Sequence, residues 1–178
     1  MKRATRRPGL LIRKALLSEV VPIHRLVNEF AGGDLMLPLS VGDVTDRLRD
    51  FWVAVDGNEV VGSVAVHVTW GKLVEIRSLA VRKDRQKRGL GARLVRAALR
   101  EAKELGAEEV FTLTYVPDYF KRFGFKVCDR GELPHKVWVD CVKCPKFPDC
   151  GETAMRLDLL PPGRRPASVA SGTAGKRT

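Results

Sequence analysis

The stretch that most restricts the fold runs from Leu73 to Tyr115: LVEIRSLAV, RKDRQKRG, LGARLVRAALREAKEL, GA, EEVFTLTY. Its first and last parts are short, apolar and rich in β-branched residues, as strands are. Between them, Leu94, Val95, Ala98, Leu99 and Ala102 fall on one face of a helical wheel, with Arg93, Arg96, Arg100, Lys103 and Glu104 on the other. The spacing predicts a surface helix over Leu90–Leu105, ended by Gly106. A strand, a helix and a strand in that order require a right-handed crossover and parallel pairing of the two strands. Just upstream the period is two: FWVAV, the turn residues DGN, EVVGSVAVHVTW, a turn at Gly71, then LVEIRSLAV. That pattern predicts a three-stranded antiparallel meander. A sheet holding both is mixed, so the expectation is an α/β (α+β) domain with flanking helices.

The flanking segments add to this frame. GLLIRKALL reads as a first strand, and Ser18 as the cap of an amphipathic helix over Ser18–Phe30 that buries Val20, Ile23, Val27 and Phe30, with Gly32 and Gly33 ending it. Ser40 opens a second short helix, SVGDVTDRLRD. PDYFKRFGF is a short helix from Pro117 that Gly124 breaks, and KVCD and ETAMRLDLL read as closing strands. No internal repeat is visible.

At 178 residues the chain is long enough for one domain with its own core. No apolar run approaches the roughly 18–20 residues of a membrane span. The apolar part of the N-terminus is broken by Arg13 and Lys14, unlike a signal peptide, so a cytoplasmic location and no membrane partner are expected. The net charge of +11 invites a nucleic-acid reading, but Lys2, Arg3, Arg6, Arg7, Arg164, Arg165, Lys176 and Arg177 lie in two tails without acids. Removing those eight charges lowers the balance to +3. The expected organisation is a basic tail at 1–8, one domain at 9–162 with a cysteine-bearing segment at 131–152, and a disordered basic tail at 163–178, whose small polar residues cannot repay their ordering entropy.

The turn RQKRGLG carries the chemistry. Gly89 and Gly91 fall where a helix starts, where backbone N–H groups lack partners and the dipole is positive. Such an end suits an anion, and Arg85, Lys87 and Arg88 add charge for phosphate groups. A basic solvated turn opening a surface helix is the plainer alternative. The spacing Gln86-x-x-Gly89-x-Gly91 differs from the dinucleotide fingerprint, which needs three glycines and an acid about 20 residues on.

After a strand ending LAV and before an amphipathic helix, this spacing resembles the acyl-CoA pyrophosphate loop of the GNAT superfamily of N-acetyltransferases, Gln/Arg-x-x-Gly-x-Gly/Ala. The resemblance covers about Leu11–Leu160, with meander, crossover and YFKRFGF in family order. It implies the GNAT fold, acetyl-CoA as co-substrate, pantetheine pairing with the backbone of Leu79, Ala80 and Val81, and pyrophosphate held by the Arg85–Gly91 amides, Leu90 included. It further implies the Val81 N–H as oxyanion donor and Glu75, in VEIRSLAV, as general base. Arg77 shares the Glu75 face of that strand, and a surface ion pair is the alternative account of the two.

The segment GELPHKVWVDCVKCPKFPDCGETAM, with RDFWVAV, EIRSLAV and YFKRFGF, resembles the short single-domain N-acetylglutamate synthases, which acetylate L-glutamate in the first step of arginine biosynthesis. A substrate with two carboxylates needs cations, and Arg77, Lys136 and Arg25 or His135 are the candidates. Two positions depart from the pattern. Where many family members place a tyrosine to protonate the departing thiolate, Phe120 stands, so Thr114, Tyr119 and Tyr115 compete for that role. Leu39, in MLPLS, stands where the subgroup has a basic residue, which leaves one carboxylate contact unassigned.

Cys141, Cys144 and Cys150, with His135 or Cys128, have the softness for zinc, but only one CxxC pair is present. Reduced cysteines in an irregular loop are the favoured reading. The leading expectation is an acetyl-CoA:L-glutamate N-acetyltransferase. Its rivals are a transferase for another small amine or a protein N-terminus, and an acyl-CoA-binding protein associated with nucleic acid, disfavoured because no basic groove with interleaved aromatics appears. The oligomeric state, a homodimer included, stays open.

Overall fold

The computed structural model describes residues 9–33, 35–133, 142 and 150–160. The expectations for both basic tails, and for His135, Lys136, Cys141 and Cys144, lie outside those residues. The strands are β1 (Leu11–Lys14), β2 (Phe51–Asp56), β3 (Glu59–Trp70), β4 (Leu73–Val81), β5 (Glu109–Thr114), β6 (Lys126–Val127) and β7 (Thr153–Asp158). The helices are α1 (Val20–Ala31), α2 (Val41–Asp46), α3 (Leu90–Glu104) and α4 (Pro117–Lys121). The strands form one sheet in the order β1-β2-β3-β4-β5-β7-β6. All neighbours are antiparallel except β4 and β5, which the α3 crossover makes parallel. The mixed sheet with meander and crossover is as the period change predicted.

Strand alternation decides which helix covers which face. Val64, Val66, Val74 and Ile76 pack with Leu94, Val95, Ala98 and Ala102 of α3. The intervening Ala65, with Phe51, Val53 and Val55, packs on the other face with Ile23 and Val27 of α1 and Val44 of α2. Both faces are therefore buried at the centre of the sheet, and each large side chain sealed there removes about 1.5–3 kcal/mol of exposed apolar surface. Gly62 marks where α3 presses closest, since a Cβ there would come within 2.9 Å of Leu94 Cδ1.

One terminus differs from expectation. Ser18 does not cap α1; a short 3-10 turn, Leu17–Glu19, precedes the helix, and Glu19 takes the N-cap position without a side-chain bond into α1, its carboxylate closing the 3-10 turn instead. Its carboxylate accepts the Leu16 N–H at 2.8 Å and two Arg13 N–H bonds, each at 2.8 Å. A carboxylate that can take an amide and a guanidinium together outcompetes an exposed hydroxyl. Ser40 caps α2 as expected: its Oγ accepts the Asp43 N–H at 3.0 Å, and the Asp43 carboxylate accepts the Ser40 N–H at 2.8 Å. No helix among the described residues is long and apolar enough to cross a membrane.

Candidate functional site

The site begins where two parallel strands part. β4 pairs with β5 only over Leu73–Glu75, opposite Glu109–Phe111, and the rest of β5 pairs with β7 alone. From Ile76 to Val81 the β5-facing edge of β4 has no strand beside it among the described residues. Such an edge offers alternating N–H and C=O groups to any extended ligand that enters the wedge. A bulge re-aims the edge: Ala80 pairs with Ser63 and Arg77 with Ala65, so Ser78 and Leu79 together oppose Val64. Ser78 takes a left-handed φ of 53°, and the buried Ser63 hydroxyl donates to its carbonyl at 3.3 Å. Leu79, in the bulge, and Ala80 and Val81, past it, thus lie at the open end of the wedge.

The turn beyond β4 is held by its own side chains. Gln86 Nε2 donates to the Val81 carbonyl at 2.9 Å, tying the loop to the strand end. Lys87 and Gly89 follow with φ of 59° and 78°, and α3 begins at Leu90. Its first turn holds no acid and its N-cap has no side-chain bond, so the leading amides are left for an anion. Arg85 is engaged elsewhere: it pairs with Asp56 at 2.6 Å and Asp84 at 3.4 Å. Arg82 pairs with Asp84 and Glu59 and is pushed above the ordinary arginine range, Asp84 contributing most. Lys87 and Arg88, both exposed, have no such partner among the described residues and are the cations left to meet a phosphate.

Gly91 is required by closeness. A Cβ there would come within 2.5 Å of the Tyr119 hydroxyl and 3.7 Å of Val81 Cγ2. The phenol of α4 therefore rests on the bare backbone of α3, beside the last residue of β4. Burial pushes the Tyr119 phenol up, against the pull of Arg122 and Arg96, so it keeps its proton. Thr114, buried at the end of β5, accepts the Val116 N–H at 3.0 Å, which leaves its own hydroxyl hydrogen to donate. Thr114 shares the strand face of Val110, which packs in the α3 core. Glu75, level with Phe111 in the ladder, belongs to the opposite face. The two hydroxyls and the carboxylate thus approach the wedge from its two sides.

On the carboxylate side, Arg77 Nη1 lies 3.4 Å from Glu75 Oε2, with 19% and 13% of the two side chains exposed. Glu75 pairs across the hairpin with His67, whose Nδ1 lies 2.7 Å from Asp50 Oδ2. The Ser40 hydrogen bonds hold the Asp43 carboxyl below the usual range, and the charges of Arg47 and Arg77 add to that. Asn28 of α1 clamps the preceding loop, donating to the Leu39 carbonyl at 2.8 Å and accepting its N–H at 3.1 Å. The Leu39 side chain packs against the α1 core, which is why this position offers no cation. Arg25 is exposed on the side of α1 turned away from its buried residues.

Two free thiols are described, Cys128 and Cys150, both half-buried; burial pushes the Cys128 thiol up. Arg130 donates to the Glu152 carbonyl and reaches Cys150 Sγ at 3.5 Å. Among the described residues no three His, Cys, Asp or Glu side chains converge as a metal site would require. Sequence reasoning missed the His67–Asp50 pair, the Ser63 prop under the bulge and the job of the Gln86 side chain. A signal was available for the place of His67 beside Glu75, though not for its contact with Asp50: His67 and Glu75 each stand four residues from Gly71, so a tight turn there places them opposite one another.

This geometry agrees with the comparisons. A model of the acetyltransferase (GNAT) family matches residues 19–125. An uncharacterized N-acetyltransferase of Chlorobaculum tepidum is 40% identical over 144 residues, covering 81% of this chain and 93% of that protein. An amino-acid acetyltransferase of Mycobacterium tuberculosis is 35% identical over 118 residues, 65% of this chain and 67% of the relative. A Mycobacterium tuberculosis structure solved in complex with CoA and NLQ superposes with a TM-score of 0.73 at 30% identity, covering 84% of this chain and 99% of that one. With the split β4–β5 ladder, the uncapped α3 start and these relatives in hand, the chain belongs to the GNAT family and is an N-acetyltransferase.

Proposed function

We propose that this N-acetyltransferase moves the acetyl group of acetyl-CoA to the α-amine of L-glutamate. The observation that carries the reading is the pairing of Glu75 with Arg77 on one face of β4, at the level where β4 and β5 part. One group accepts a proton from an ammonium and the other receives a carboxylate, the two demands an amino acid makes at its own α-carbon. The amino-acid acetyltransferase relative supports it, as does a fold neighbour solved with CoA.

The residues fit the donor. The unpaired β4 edge suits an extended pantetheine arm, and the α3 amides with Lys87 and Arg88 suit its diphosphate. In the reaction Glu75 removes a proton from the ammonium, the amine attacks the thioester carbon, and the Val81 N–H stabilises the oxyanion. The C–S bond then breaks and the thiolate takes a proton. Tyr119 is the preferred donor because its phenol is held protonated beside Val81 and Gly91, with Thr114 as the second candidate. Thiolate is a good leaving group, so the donor contributes less than Glu75 does.

A second reading has one observation behind it. Leu39 packs inward and leaves a cation fewer than a dicarboxylate prefers, which favours an amino acid with an uncharged side chain. Thiol release from acetyl-CoA across a panel of amino acids, polyamines and peptides decides between them. Turnover highest with glutamate supports the proposal; glutamate left untouched while another amine reacts overturns it.

A further inference from the structure

Amide formation from an ammonium leaves a proton over. R–NH3+ and acetyl-CoA become R–NH–CO–CH3 and CoA–SH: an N–C bond forms, a C–S bond breaks, and nitrogen loses two protons. One ends on sulfur and the other must leave the protein before Glu75 can act again. This argument rests on the proposed role of Glu75, whose side chain is only 13% exposed and faces Arg77, a poor place from which to release a proton to water.

Beside Glu75 the structure holds a group suited to the task. His67 is its register partner on β3, and directly opposed residues bring their Cβ atoms to about 5 Å. A carboxylate can only accept, so the contact of His67 Nδ1 with Asp50 Oδ2 at 2.7 Å puts the ring hydrogen on Nδ1 and leaves Nε2 as a base. Nε2 has no hydrogen-bond partner among the described residues. The exposures of 27% for His67 and 25% for Asp50 are about twice that of Glu75, so the pair has better access to water than the carboxylate it stands beside. Nothing in the folding of the sheet requires this pair: His67 lies beyond the stretch of β3 that pairs with β2, outside both central core clusters.

We infer that His67, oriented by Asp50, is the proton exit of the acceptor site, receiving from Glu75 the proton that each acetyl transfer leaves behind and passing it to solvent. His67 is a relay and Asp50 a positioning residue; neither binds acetyl-CoA. An imidazole suits the step because it gains and loses a proton readily near neutrality, and the Asp50 carboxylate stabilises the imidazolium while it exists.

The test is steady-state acetyl transfer by the full chain in dilute buffer, with added imidazole as an external proton carrier. His67→Ala and the shape-conserving His67→Gln are expected to lose at least about tenfold in kcat with KM for acetyl-CoA unchanged, and His67→Ala to recover as imidazole is raised, while wild type does not respond. Asp50→Asn is expected to show a smaller loss of the same kind. Wild-type kcat in both His67 variants, or a loss that imidazole leaves untouched while KM for acetyl-CoA is kept, overturns the inference. Failure of the glutamate assignment reads differently: wild type would then acetylate another amine, and the imidazole response is measured with that amine. Wild type that transfers acetyl to no amine overturns both.

Discussion

The proposed donor and acceptor halves of the site are built from different material. On the donor side the working groups are backbone: the open β4 edge past the Ser78 bulge, the left-handed turn through Lys87 and Gly89, and the first amides of α3. On the acceptor side they are side chains, Glu75, Arg77, His67 and Asp50, brought together from β3, β4 and the turn before β2. A backbone site tolerates changes of side chain wherever conformation is kept, whereas a side-chain site fails with its charges. The donor half therefore suits a ligand common to many transferases, and the acceptor half is where one amine is told from another.

Glu75→Gln tests this division most severely. It removes the proposed proton acceptor and no phosphate contact, so kcat is expected to fall about 10²- to 10⁴-fold with KM for acetyl-CoA kept; thiol-release kinetics that match wild type would dissolve the distinction. Gly89→Asp attacks the other half. It forces a side chain into a φ of 78° and puts a negative charge at the anion-holding turn, and calorimetry is expected to show CoA binding weakened at least about tenfold, with the acceptor KM unaffected.

Arg77→Gln sharpens the acceptor side. With glutamate as the proposed acceptor, loss of a charge-assisted bond of about 1.5–3 kcal/mol is expected to raise its KM about 10- to 100-fold in steady-state kinetics, without effect on CoA binding. Gln86→Ala is smaller, since it deletes one hydrogen bond to the Val81 carbonyl. A several-fold loss of CoA affinity, about 1 kcal/mol, is expected by titration.

The smallest effect lies in neither half. Burial raises the Glu19 carboxyl, but the Arg13 hydrogen bonds, the Leu16 amide and the Arg13 charge together hold it below its ordinary 4.5. A depressed carboxyl adds stability above its unfolded pKa and loses it as pH falls through the folded value. The stability gap between wild type and Glu19→Gln, read by denaturant melts, is thus expected to be full at pH 7 and to narrow below about pH 4.5. A gap that does not change with pH would mean that Glu19 acts through shape alone.

The donor half was legible because its requirements are local. Glycines at 89 and 91, a glutamine at 86 and an amphipathic run from Leu90 sit within a few residues of each other, and each element follows from the period of its own segment. Even there, local reading stops at side-chain pairing. Arg85 looks like a phosphate cation in the sequence, yet its guanidinium meets Asp56, a residue of β2. The start of α1 shows the same limit: Ser18 has the right chemistry, but Glu19 takes the N-cap position and turns its carboxylate to Arg13 on β1. Leu39, read as a missing cation, proves to be a packing residue held by Asn28 of another element.

What the amino-acid order determined alone was the succession of periods, two then 3.6 then two, and with it a mixed sheet crossed by one helix whose start is stripped of acids. What only the tertiary structure decided was register and splay: that the β4–β5 ladder stops at Glu75, that a bulge at Ser78 turns the strand end outward, and that His67 and Asp50 stand beside Glu75. The reason is physical. Periodicity reflects burial, which each segment carries in its own composition, whereas a ladder ends and a side chain chooses its partner according to atoms supplied by other segments.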